Sequence, residues 1–318
     1  MAGSLASAAL ASCRADQAPR FGADRRTAAS SVGIFPASRY DIDLASIVRR
    51  GLVELGIVAQ GLRVVLKPNL VEFDPKGVIN THPALIAAAA DAFLSLGARE
   101  VVIAEGPGHR RDNEYLLTAS GLDALLREKR LSYVDLNFDS VSVERLGSSF
   151  TEFGELYLPS TVMDADLFVS MPKLKTHHWA GVTLSMKNLF GIVPGAIYGW
   201  PKNPLHWAGI DESIVDLAST IPARRFAIVD GIVGMQGNGP IQGERIDVGA
   251  IVMGGDFVAV DATCCRLMGL DPAKVRHIGL AGEFLGNATE EKLEQRGEAI
   301  ARLRKEFAVL PEWEFLRG

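Results

Sequence analysis

Val64-Val65-Leu66-Lys67-Pro68-Asn69 decides the fold class. An apolar, β-branched run that stops at proline and asparagine reads as a buried strand and its turn. Asn80-Thr81-His82-Pro83 then supplies a capping side chain, Thr81 or Asn80, and a first-turn proline. The nearly uncharged run 84–96 follows and Gly97 closes it, which predicts a well-covered helix. Val101-Val102-Ile103-Ala104 is the next strand, ending at Glu105-Gly106-Pro107-Gly108. A helix over 113–129, reset near Gly121, leads to a third strand over 131–136. Strands that are apolar throughout, alternating with helices, predict a parallel sheet covered on both faces.

Residues 139–160 break this rhythm and read as a hairpin. The alternation returns at Asp166-Leu167-Phe168-Val169-Ser170, a helix over 206–220, Phe226-Ala227-Ile228-Val229 stopping at Asp230-Gly231, and a strand over 246–253. Asp256 caps a helix that reaches Met268. The expected architecture is α/β: a mostly parallel sheet flanked by helices, with a small β excursion near residues 139–160. It spans 32–290 as one domain or as two lobes divided near 140–165. A charged amphipathic helix is expected within 291–318, and residues 1–31 are expected to be disordered or processed.

Lys and Arg total 33 against 38 Asp and Glu, a net charge of −5 in 318 residues, which argues against a general nucleic-acid binder. No apolar run approaches the roughly 20 residues of a membrane span. Cysteines stand only at 13, 264 and 265, a spacing unsuited to a disulfide framework, zinc or an iron–sulfur cluster, so no cluster is expected. Leu10-Ala11-Ser12-Cys13 resembles a lipoprotein cleavage box without a preceding basic residue. A cytoplasmic chain is expected, with export or lipid anchoring as the alternative if the start is truncated.

The unusual polar residues fall at strand ends: Lys67 and Asn69, then Glu105, then Lys173, Lys175 and His177, then Asp230. In open α/β sheets the carboxyl edge carries the ligand crevice. Turns favour Gly, Asn, Asp, Ser and Pro, so lysines there suggest a shared site. Lysine suits phosphate or carboxylate, and a buried lysine with a lowered pKa is a base or an amine nucleophile. His177 suits proton transfer, while His178 should face elsewhere on an extended segment. The run 181–191 reads as a short helix that sets Thr183 and Lys187 on one face and Leu184 and Asn188 on another. Neither a nucleotide P-loop nor a dinucleotide fingerprint is present. The loop 191–206, with Trp200 and His206, is a lid or a connection. The glycine-rich run 231–240 is an anion-binding backbone, a lid or a turn. Asp230 suits a hard cation, a base or a proton acceptor. Asp261, in an apolar helix, is functional or salt-bridged, and Cys264 and Cys265 read as helix core.

Lys67-Pro68-Asn69, Asn80-Thr81-His82-Pro83, Glu105-Gly106, Pro172-Lys173-Leu174-Lys175-Thr176-His177, Ser185-Met186-Lys187-Asn188 and Asp230-Gly231 together resemble the domain-of-unknown-function 362 family over about residues 60–290. The resemblance implies an α/β core, no settled activity, and a stand-alone member without the ferredoxin-like iron–sulfur domain that some members carry. It carries the family's recurrent polar positions onto Lys67, Asn69, Lys173, Lys175, His177, Lys187 and Asp230. The working assignment is His177, Lys173 and Asp230 as catalytic groups, with Lys67, Asn69, Lys175, Lys187, Asn188 and Glu105 holding a small anionic ligand. Asp230 and Asp261 are assigned to a divalent cation such as Mg2+. An enzyme acting on a small phosphorylated or carboxylated substrate, a non-catalytic binder of an anionic metabolite or partner, and a redox partner remain open.

Overall fold

The computed structural model describes residues 21–108, 113–222 and 224–318. Its strands are β1 (Ser30–Pro36), β2 (Arg63–Pro68), β3 (Glu100–Glu105), β4 (Ser132–Asp135), β5 (Val141–Arg145), β6 (Glu155–Pro159), β7 (Leu167–Met171), β8 (Lys173–His177), β9 (Gly181–Thr183), β10 (Arg225–Gln236), β11 (Glu244–Gly254) and β12 (Leu293–Gly297). The main sheet runs β12-β1-β11-β10-β7-β2-β3-β4, with β8 paired to β10 and β9 paired to β8. From β10 to β4 every neighbouring pair is parallel, and β11 is the antiparallel insertion between β10 and β1. The chain is α/β as expected, and β2 pairs with β7, so the segments on either side of 140–165 share one sheet.

Burial explains the continuous apolar strands. Val64 and Leu66 enter one cluster with residues of the helices Leu44–Glu54 and Pro83–Ser95. Val65 enters the other, with the helices Ile210–Thr220 and Phe257–Leu267. Successive residues of a strand alternate faces, and here both faces are covered.

The β excursion is the antiparallel pair β5–β6. Buried Asp216 holds the loop between them: its carboxylate accepts from Ser148 Oγ (2.7 Å), Phe150 N (3.0 Å), Thr151 N (2.8 Å) and Thr151 Oγ1 (2.7 Å).

Four expectations are corrected. Residues 30 and 31 belong to β1, and Phe21 packs edge-on against Phe150 and Phe284 (ring centroids 5.4 and 5.6 Å), so residues ahead of 32 pack with the domain; the Cys13 box lies outside the described residues. The strand expected to stop at Asp230-Gly231 continues to Gln236. Gly231 and Gly234 lie where an added Cβ would sit 2.9 Å from the Ala250 and Leu174 carbonyl oxygens, so close backbone approach, not a turn, explains them. The run 181–191 forms β9 and a 3-10 turn, Lys187–Ile192, because β8 offers a free edge to pair with. The tail expected as an amphipathic helix instead lays β12 along the edge of β1; only Ile300–Leu303 is α-helical there, and Gly297 at φ 72° ends the strand.

Asp216→Ala removes the acceptor of four hydrogen bonds, three of them from donors on buried residues, and only Ser148 Oγ keeps another partner, Ser219 Oγ. The substitution is expected to cost on the order of 3 kcal/mol, read as a lower midpoint in chemical denaturation. An unchanged midpoint would remove Asp216 as the anchor of this loop.

Candidate functional site: a lysine-lined cavity at the carboxyl edge

The carboxyl ends of β2 and β3 place Lys67 and Glu105 side by side, with Nζ to Oε2 at 2.7 Å and both side chains buried. Lys67 Nζ also donates to the Pro68 carbonyl (2.8 Å) and to Asn188 Oδ1 (2.9 Å), so all three of its N–H groups are used. Glu105 accepts in addition from Leu70 N (2.9 Å) and Gly106 N (2.9 Å). Asn188 turns its amide nitrogen to the Lys67 carbonyl (3.1 Å) and to Ser170 Oγ (3.0 Å), tying β2, β7 and the 3-10 turn together. Gly191 lies against this pair; a Cβ there would collide with Glu105 Oε1 and Lys67 Nζ.

Around this pair opens a cavity of about 200 Å³. Lys67, Asn69, Glu105, Lys175, His177, Lys187 and Asn188, all expected at a shared site, line it together. Lys175, on β8, donates to the Ile79 carbonyl (2.8 Å) and the Pro240 carbonyl (3.2 Å). His177 Nδ1 accepts from Trp179 N (3.0 Å) and Ala180 N (3.2 Å), which leaves the ring proton on Nε2. His178 lines the cavity as well, because β8 ends at His177 and the chain turns. Thr183 Oγ1 and Asn69 Oδ1 are buried in this lining without a hydrogen-bond partner.

Lys202 escaped the sequence reading. It is buried, and its Nζ donates to the Gly106 carbonyl (2.6 Å) and the Phe190 carbonyl (2.9 Å), so it pins the loop that carries Trp200 and His206 across the cavity. Its only sequence signal was a lysine inside Pro201-Lys202-Asn203-Pro204, the stretch read as a lid or connection. Of the glycine-rich run, Pro240 reaches the lining together with the adjacent Ile241.

The lining therefore holds four lysines and one carboxylate. Burial disfavours each ammonium, and neighbouring ammoniums add to the effect. Lys187 is pushed down to about 7 by burial and by Lys67. Lys202 is also pushed down to about 7, by burial first, with Lys67 and Lys187 adding to it and Glu105 opposing. Lys175 falls well below the usual lysine value through burial, Lys173 and Lys187. His177 is held well below the usual histidine value by burial and Lys187 and stays neutral near pH 7.

Lys173 and Asp230 are not part of this lining. They form a buried pair at 3.0 Å and meet Tyr40, whose hydroxyl donates to Asp230 Oδ1 (2.8 Å) and accepts from Lys173 Nζ (2.8 Å). His82 N donates to Asp230 Oδ2 (2.9 Å), and the His82 ring stacks on Tyr40 at 3.7 Å. Lys173, Tyr40 and His82 line a second cavity of about 580 Å³. The segment 69–81 contributes to both cavities. His82, not Thr81 or Asn80, caps the following helix through Nδ1; Thr81 instead donates to the Met171 carbonyl (2.6 Å).

Asp261 and Asp230 share no hydrogen-bond partner among the described residues. The Asp261 oxygens accept from Ser185 N (2.7 Å) and Met186 N (3.0 Å), and burial raises this carboxyl to about 6. It fixes the turn that presents Lys187 and Asn188. No group of three or more His, Cys, Asp or Glu side chains placed to hold a metal occurs among the described residues, and no helix among them is long and apolar enough to cross a membrane.

A thylakoid-associated protein of Synechocystis is 32% identical over 283 residues, covering 83% of this chain and 82% of that protein. A crystal structure of a Thermotoga maritima protein superposes with a TM-score of 0.41 at 16% identity, covering 70% of this chain; the chain spans 57% of that structure. The family described as Domain of unknown function (DUF362) matches residues 64–266, from β2 to the Asp261 helix, and the chain belongs to that family.

Proposed function

We propose that the first cavity binds a small carboxylated or phosphorylated ligand. The observation that carries this reading is the charge balance: four buried lysines and one carboxylate line the same cavity. Buried charge needs a partner, and Glu105 is already matched to Lys67. The ligand's negative groups supply the missing counter-charge. Lys175 and Lys202, each with two of three N–H groups used, keep one to offer it. His177 contributes a neutral Nε2–H donor. The volume of about 200 Å³ holds roughly seven waters at ~30 Å³ each, which suits a small metabolite.

Ligand binding is then coupled to protonation. An anion favours the ammonium forms, so Lys187 and Lys202 take up protons as it binds. Calorimetry with oxalate or sulfate, neither of which titrates near neutrality, should show net proton uptake when run in buffers of different ionisation enthalpy. Affinity should fall as pH rises above 7. Binding without proton uptake, or no binding of either anion, contradicts this reading.

The empty protein carries the complementary signature. Both lysines titrate near 7 when folded and near 10.5 when unfolded, so above neutrality the unfolded chain holds more protons. Stability should therefore rise from pH 7 toward pH 9, by on the order of 1 kcal/mol per pH unit for each lysine; beyond 9 the raised buried thiols of Cys264 and Cys265 oppose the trend. Denaturant midpoints across this range read the slope directly. Saturating oxalate should flatten it.

A further inference from the structure

Lys187 differs from the other lysines of the cavity in what its nitrogen touches. Lys67 donates three hydrogen bonds, and Lys175 and Lys202 two each. Lys187 Nζ makes none among the described residues and sits 3.8 Å from the centroid of the Phe190 ring. The side chain is nine-tenths buried at 8% exposure and lines the cavity. Two more buried polar atoms of the same lining, Thr183 Oγ1 and Asn69 Oδ1, also lack partners. The turn that carries Lys187 is fixed from behind by Asp261, so the backbone at the base of this side chain is held.

A buried amine that titrates near 7 rather than near 10.5 gives up its proton readily, so the neutral form that attacks a carbonyl carbon stays accessible near neutrality even when a bound anion favours the ammonium. The ring face of Phe190 favours the ammonium and partly opposes this, but burial and Lys67 dominate and bring the group to about 7. Lys202 is unsuited to the same task. Its hydrogens are directed at two carbonyl oxygens, and moving it would release the loop it holds.

We propose that Lys187 is a nucleophilic amine that forms an imine with the carbonyl group of a small oxo acid or phosphorylated ketone bound in this cavity. This rests on the anion-binding reading above and adds the carbonyl to it. Lys187 Nζ attacks the carbonyl carbon, the carbon–oxygen π bond opens, and a carbinolamine forms. The nitrogen gives up two protons in all, the oxygen leaves carrying both as water, and a carbon–nitrogen double bond remains. No oxidant or reductant is consumed. Lys175 and Lys202 hold the carboxylate or phosphate of the substrate, and the His177 Nε2–H faces the departing oxygen as a hydrogen-bond donor.

The test is reductive trapping on the full chain. The protein is incubated at neutral pH with pyruvate or with dihydroxyacetone phosphate, reduced with borohydride, digested and mapped by mass spectrometry. The proposal expects one adduct per chain, on Lys187, competed away by oxalate. Lys187→Arg and Lys187→Met should lose it, while Lys292→Arg, at an exposed lysine, should keep it. The wild-type peptide map locates the adduct even if a variant fails to fold. Calorimetry of the same two compounds separates the two claims. Binding with no adduct, or with adducts scattered over exposed lysines, overturns the imine and leaves anion binding standing. No binding of these compounds or of oxalate removes both.

Discussion

Burying an ammonium costs several kcal/mol unless carboxylates or carbonyl oxygens face it, and this protein buries five lysines along one edge of its sheet. The Lys67–Glu105 pair is the fixed point among them. It joins the ends of β2 and β3, engages Asn188 of the 3-10 turn, and receives backbone N–H groups from residues 70 and 106. Because it is saturated, it contributes shape rather than free binding capacity. The amines left without a counter-charge are Lys175, Lys187 and Lys202, and their protonation is disfavoured for that reason.

The two cavities are built on opposite electrostatic terms. In the second, Lys173 faces Asp230 at 3.0 Å and Tyr40 bridges the two, so the charge is matched within the protein. In the first, carbonyl oxygens of Ile79, Pro240, Gly106 and Phe190 solvate two of the lysines without neutralising them. Carbonyl dipoles make burial tolerable but leave the charge in place. This difference is why the unmatched cavity, smaller though it is, is the one read as a ligand site.

The sheet and its carboxyl edge were legible in the sequence because apolar β-branched runs ending at Lys67, Glu105 and Lys173 are local patterns. Local pattern also marked Thr183 and Lys187 as neighbours, although they share a hairpin and a turn rather than a helix face. What stayed hidden depends on distant chain. Lys202 is buried by carbonyls from residues 106 and 190, and β12 exists because β1 leaves an edge open. Glycines 231 and 234 look like a turn until β11 and β8 are packed against them. Lys173 and Lys175 stand two residues apart, yet they open into different cavities, with segment 69–81 shared between the two. Asp261 read as functional or salt-bridged; its partners are backbone N–H groups 75 and 76 residues away.

On the anion-binding reading proposed above, the lysines of the first cavity lack a counter-charge until a ligand arrives. Lysine side-chain NMR on the full chain, with Lys187 and Lys202 assigned by substitution, measures this most directly. Both should titrate near 7 in the empty protein and shift upward when oxalate is added. Titration of both at the ordinary lysine value in the empty protein, with no response to the anion, would contradict it.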